Sequence, residues 1–69
     1  MGNSNITGRL IGAARRPQGS GYILVGQVYE DVRGRFYDGE VIRTSRVVSE
    51  DGPIVLTANS IYEVESWGD

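Results

Sequence analysis

Arg43, Thr44, Ser45 and Arg46 place two guanidinium groups and two hydroxyls in one consecutive run. In an extended strand Arg43 and Ser45 share one face, and Thr44 and Arg46 share the other. Each face then carries an arginine beside a hydroxyl. That pairing makes a cradle for a phosphate or a carboxylate, because the planar fork donates two parallel N–H bonds to two oxygens. The plainer reading is an edge strand that uses charge to avoid pairing with a neighbouring sheet. A second group, Arg33, Arg35 and Tyr37, lies in a polar stretch with Phe36. Arginine and tyrosine supply fixed charge and rigid contact area, the chemistry of binding hot spots. Arg33, Arg35, Tyr37, Arg43, Thr44, Ser45 and Arg46 are therefore the candidate ligand- or partner-binding residues.

All seven basic residues are arginine, and the chain contains no histidine, lysine or cysteine. This removes the imidazole base, the thiolate nucleophile and the Schiff-base amine. Ser45, Ser49 and Ser60 would be nucleophiles with nothing to activate them. Carboxylates adjoin at Glu30 and Asp31 and again at Glu50 and Asp51, and Asp38 and Glu40 lie close by. Neighbours in a strand point to opposite faces, and in turns they are usually solvated. Asp31, Asp38 and Glu40 offer oxygens to a hard cation, but no calcium-loop spacing is present. They read as turn-capping carboxylates. The expectation is a protein without catalysis, without a metal and without a cofactor.

The net charge of −2 is unevenly spread. Residues 1–29 hold Arg9, Arg15 and Arg16 and no acid, whereas residues 47–69 hold Glu50, Asp51, Glu63, Glu65 and Asp69 and no base. Pairing of the two parts across a folded sheet is the expected outcome. Nucleic acid is a rival partner, because Tyr22, Tyr29, Phe36 and Tyr37 lie near Arg33 and Arg35 and small β-barrels stack bases on such aromatics. The negative balance argues against it, since affinity for nucleic acid comes from neutralising phosphates with surplus cations.

The elements that must position these residues are short strands. Ten glycines punctuate a sequence rich in β-branched and aromatic residues, and helix signals are weak throughout. Five strands are predicted, over residues 6–14, 22–30, 40–48, 54–58 and 61–67. Gly8 and Gly12 in the first suggest bulges or close backbone contact. Residues 15–21 read as a loop from their proline and glycine content. The second strand is apolar on both faces, which points to cover from a closed barrel or from another subunit. Phe36 is expected to plug the core from the connection that follows. In the last hairpin a two-residue loop at Asn59 and Ser60 sets Thr57 against Tyr62 and Val55 against Val64. Those four then share one face, with Ile54, Leu56, Glu63 and Glu65 on a half-exposed one.

Turns at this spacing predict an all-β fold, a small and strongly bent five-stranded antiparallel sheet or barrel of SH3-like or OB-like type. The 69 residues form a single domain, with residues 1–5 expected to be flexible. A core this small usually needs support. Disulfides are impossible here, so self-association is expected to supply it. No stretch approaches the ~20 apolar residues of a membrane span. No basic region followed by an apolar core begins the chain. A cytoplasmic setting, away from the membrane, is expected.

The run D-G-E-V-I-R-T-S of residues 38–45 and the hairpin V-L-T-A-N-S-I-Y-E-V of residues 55–64 resemble small accessory proteins of bacteriophages and prophages. A looser echo lies in residues 26–29. That group has no settled activity, so no residue role transfers from it. The resemblance implies a compact protein of a bacterial host's cytoplasm that binds and inhibits a host factor, such as a defence protein. Arginines would supply bidentate contacts, and exposed tyrosines with Trp67 would supply rigid area. The alternative is an oligomer that sequesters a small anionic ligand, such as a nucleotide signal, with Arg43, Thr44, Ser45 and Arg46 lining a site between subunits. Single-stranded nucleic-acid binding is the third reading.

Overall fold

The computed structural model describes residues 6–68; the expectation for residues 1–5 lies outside them. Six strands form in chain order: β1 (Gly8–Gln18), β2 (Gly21–Tyr29), β3 (Glu40–Arg43), β4 (Val47–Asp51), β5 (Ile54–Thr57) and β6 (Ile61–Val64). They lie in one sheet in the order β3-β2-β1-β6-β5-β4. Two antiparallel meanders, β1 to β3 and β4 to β6, join where β1 and β6 run parallel. The all-β expectation holds. The five-stranded antiparallel arrangement is corrected to a mixed, six-stranded sheet that curls without closing.

The extra strand comes from a break in the predicted strand 40–48. Thr44 N–H still donates to the Leu24 carbonyl at 2.8 Å, as a β3 residue would. Its hydroxyl accepts Leu24 N–H at 3.0 Å and donates to the Ser45 carbonyl at 2.8 Å. A side chain that bonds the backbone on both sides competes with the regular ladder. The chain turns there and begins β4 against β5 instead of β2. The sheet curls so that β4 contacts β2, and the core fills the curl. Leu10, Leu24, Val28 and Val55 are fully buried, joined by Ala13, Ile42, Val47, Tyr62 and Val64. Phe36 and Tyr22 pack against this cluster, Phe36 as expected.

β1 runs four residues further than predicted and takes in Arg15, Arg16, Pro17 and Gln18. Pro17 pairs with Tyr22 on a stretch of β1 that β6 does not reach, since β6 pairs only with Gly8, Arg9 and Leu10. A proline without an N–H is tolerated at such an edge. Between Ile11 and Ala14 the register shifts, so that Gly12 and Ala13 face Gly26 alone. Gly12 has φ 66°, and Ala13 receives the tail after β6 through its bridge to Trp67. Backbones crowd here. A Cβ on Gly26 would lie 3.1 Å from Ala13 Cα, and one on Gly68 would lie 2.7 Å from the Gly12 carbonyl oxygen.

The final hairpin has the predicted faces in a different register. Val55 pairs with Tyr62 and Leu56 with Ile61, a slip of two residues from the expectation. A slip of two keeps every side chain on its face, so Val55, Thr57, Tyr62 and Val64 are all buried. Among the described residues no helix is long and apolar enough to cross a membrane.

Two substitutions test these local reasons. Thr44→Val keeps the shape, strips the acceptor from Leu24 N–H and is expected to cost about 1–3 kcal/mol in chemical denaturation. Gly26→Ala forces backbone apart at the bulge, with an expected loss of similar size, about 1–3 kcal/mol. Unfolding curves superimposable on wild type would refute either account.

Candidate functional site

The turn at residues 57–60 organises the surface that carries Arg33 and Arg35. Thr57 belongs to the core face of β5, and its side chain closes the turn from within. Its hydroxyl donates to the Ser60 carbonyl at 2.9 Å and accepts Ser60 N–H at 3.0 Å, while Thr57 N–H donates to the same carbonyl at 2.8 Å. Three other segments are fastened to this turn. Thr7 donates its N–H and its hydroxyl to the Ile61 carbonyl, at 2.7 and 3.0 Å. Ala58 N–H donates to the Arg46 carbonyl at 3.0 Å, and the Asn59 side-chain amide donates to Ser45 Oγ at 2.6 Å. An Arg35 terminal nitrogen donates to Ser60 Oγ at 3.1 Å.

The connection between β2 and β3 is shaped by its carboxylates. Asp38 caps Glu30 N–H at 2.8 Å, and Glu40 caps Tyr37 N–H at 3.0 Å. Asp31 accepts Arg35 N–H on Oδ2 at 2.7 Å and Gly34 N–H on its carbonyl at 3.0 Å. These are turn-capping roles, and no three carboxylates gather as metal ligands among the described residues. Glu30 adopts φ 57°, uncommon for a residue with a Cβ, at the point where the chain leaves β2. Val32 N–H donates to the Thr7 carbonyl at 2.8 Å, which ties the connection to the residue just before β1. Between the connection and the turn lies a cleft of about 500 Å³, lined by Thr7, Arg33 and residues 56–61.

The structure separates the seven candidate residues into different roles. Arg33 is exposed and lines the cleft. Arg35 lies over the Phe36 ring at 5.2 Å, approaches Asp31 at 4.0 Å and braces Ser60. Tyr37 is 86% exposed. Arg43 is exposed at the end of β3, paired with Val25, and Arg46 is exposed with its stem against Gly21. Thr44 is buried, and its hydroxyl is engaged by backbone at both ends. Ser45 is half-buried and holds Asn59. β3 and β4 are the sheet's two edges, so the charged run does sit at a sheet edge, with the break between strands falling inside it.

The arginines divide by their partners. Arg9 reaches Glu30 at 3.4 Å, Glu65 at 3.4 Å and Glu63 at 3.9 Å. Arg15 binds Glu50 through two bonds, at 3.0 and 2.8 Å. Both match the expected pairing with the acidic C-terminal part. Arg16 instead donates to the Arg15 carbonyl at 3.0 Å. Among the described residues Arg16, Arg33, Arg43 and Arg46 form no ion pair.

The Arg15 cluster is the feature that residue types alone did not reveal. Glu50 also accepts the Tyr22 hydroxyl, and the Arg15 guanidinium lies 4.1 Å from the centre of the Trp67 ring. β4, β1 and β2 thus meet at one carboxylate, and Trp67 joins the cluster through Arg15. Arg15 and Glu50 are 35 positions apart, and no local pattern links them. The Arg15 guanidinium, then the Tyr22 hydroxyl, hold the Glu50 carboxyl below the usual carboxylate range. The bond to Glu50, then burial, push the Tyr22 phenol up.

Compared with protein families, with curated proteins and with solved structures, the chain has no match.

The depressed Glu50 value has a definite sign. Its contribution to stability is present above the unfolded-chain value of about 4.3 and is lost as pH falls through the lower folded value. Glu50→Gln is expected to melt below wild type at neutral pH, with the gap closing as the solution is acidified towards pH ~2. Thermal melts by circular dichroism measure it. A gap that stays constant through the acid range would contradict the assignment.

Proposed function

We propose that this chain is a non-enzymatic, phage-type accessory protein that binds and inhibits a host protein in the bacterial cytoplasm, and that it self-associates. The observation that carries the reading is the set of arginines with no ion pair among the described residues, Arg16, Arg33, Arg43 and Arg46. A surface arginine gains little from isolated pairing in water, but it gains much when a partner desolvates a bidentate contact. Rigid apolar area lies exposed as well, in Tyr37, Val32, Val41 and Val48. In this reading the curled sheet acts as an SH3-like or OB-like module does: a fixed support whose edges and connections meet the partner. Inhibition is steric, because nothing in the charged set supplies a proton or a nucleophile near neutral pH. Self-association is supported by the outer face of β1 to β3, where Ile11, Val25 and Val41 border a shallow groove of about 260 Å³.

Affinity capture from a bacterial lysate, read by mass spectrometry, tests the partner. Wild type is expected to retain one protein in stoichiometric amount that the folded double variant Arg43→Glu, Arg46→Glu does not. Identical capture by both would overturn the reading. Light scattering at micromolar concentration is expected to give a mass above that of one chain; a monomer would remove the self-association.

A further inference from the structure

The cleft between the β2–β3 connection and the turn at residues 57–60 has donors that the fold leaves unspent. Ser60 is only 6% exposed, yet it lines the cleft. Its Oγ accepts a bond from Arg35 at 3.1 Å, which occupies a lone pair and leaves the hydroxyl proton. Among the described residues that proton has no acceptor. A hydroxyl polarised by a guanidinium behind it is a stronger donor in front. Its burial makes an unmade bond costly.

Arg33 adds the second donor group. The backbone on both sides of it is pinned, through Gly34 N–H to the Asp31 carbonyl and Arg35 N–H to Asp31 Oδ2. The positive φ of Gly34, 68°, turns the chain directly after it. Arg33 is thus carried on a fixed stalk, with its charge unpaired among the described residues. Asp31 is the acid nearest in the chain, and its side chain is 1% exposed and faced by Arg35 at 4.0 Å. Two guanidiniums against one carboxylate leave the local balance positive. Leu56 and Ile61, paired across β5 and β6, form an apolar wall. The volume of about 500 Å³ falls in the range of small-molecule sites, ~300–1,000 Å³.

We infer that this cleft is a binding site for a small organic anion, in which Arg33 and the Ser60 hydroxyl hold the oxygens of a phosphate monoester or a carboxylate. The rest of the ligand lies against Leu56 and Ile61. Arg35 is a positioning residue: it orients the Ser60 hydroxyl and offsets Asp31. The site does not depend on the protein-partner reading, because its donors and its wall all come from this chain.

The test is a titration of the full chain by ¹⁵N–¹H correlation spectroscopy with inorganic phosphate, adenosine monophosphate and citrate in separate arms. At least one anion is expected to give saturable shifts at residues 57–61 and Arg33. Adenosine monophosphate tighter than phosphate would place the ligand body on the apolar wall. Equal affinity would define a site for the anionic group alone and overturn the role of the wall. Saturation by citrate only would assign a carboxylate. Arg33→Ala, on an exposed connection, is expected to weaken binding about tenfold, the loss of one charge-assisted contact. Ser60→Ala should weaken it less, and Arg43→Ala, outside the cleft, should not weaken it. Absence of saturable shifts with all three anions, or an Arg33→Ala variant that binds as wild type does, overturns the proposal. Failure of lysate capture would leave these titrations unaffected, so the two readings fall separately.

Discussion

Three residues separate β3 from β4, yet these strands are the two outer edges of the same sheet. The four Cα steps from Arg43 to Val47 span at most about 14 Å, whereas six flat strands at ~4.8 Å spacing would set the edges about 24 Å apart. The sheet has to curl until its edges nearly meet, and the core is what the curl encloses. Thr44 sits at the seam and bonds Leu24 of β2 and the Ser45 carbonyl of the connection. Opposite the same seam, Glu50 ties β4 to Arg15 on β1 and Tyr22 on β2. A hydroxyl therefore shapes the turn at the seam, and a carboxylate ties β4 across it where the strand ladder is open. The Glu50 contact is partly exposed, so its energetic weight is modest; its geometric role is to fix where β4 lies over β2.

This arrangement also divides the charges. Arg9 and Arg15 face carboxylates from the other meander, and the uneven distribution along the chain becomes a set of contacts between its two halves. The remaining arginines lie on edges and connections, away from those acids. The turn at residues 57–60 is where fold and surface meet, because the core residue Thr57 closes it and Arg35, Asn59 and Thr7 secure it from outside. A site built on such a turn inherits the rigidity of the core, which lowers the ordering cost of binding.

Much of the fold was readable from local chemistry. Glycine and proline marked the turns, the alternation at Val55, Thr57, Tyr62 and Val64 gave the buried face, and Phe36 was recognisable as a core plug. The misses have physical causes. The hairpin register depends on the Thr57 side chain bonding within its own turn, which a count of loop residues does not capture. The break at Thr44 depends on Leu24, twenty positions earlier. Pro17 and its neighbours read as loop because proline is expelled from paired strands, and only the topology reveals that this part of β1 has an open side. Arg33 was readable as a candidate from its type. The cleft it lines was not, because Thr7 and residues 56–61 reach it from opposite ends of the sequence. The parallel pairing of β1 with β6 was equally hidden, since nothing near β1 announces a partner about fifty positions away.

That parallel pairing bears on how the chain is made. The first meander, β1 to β3, consists of strands that are neighbours in sequence, so its contacts close short loops. β1 ends in the middle of the finished sheet, but its partner β6 leaves the ribosome after every other strand. Until then a nascent chain carries β1 with one row of N–H and C=O groups unpaired, the kind of template on which strands from other chains add. Completing the sheet thus needs a contact between strands about fifty positions apart, and the loop-closure entropy of that contact is lost before its pairing offsets it.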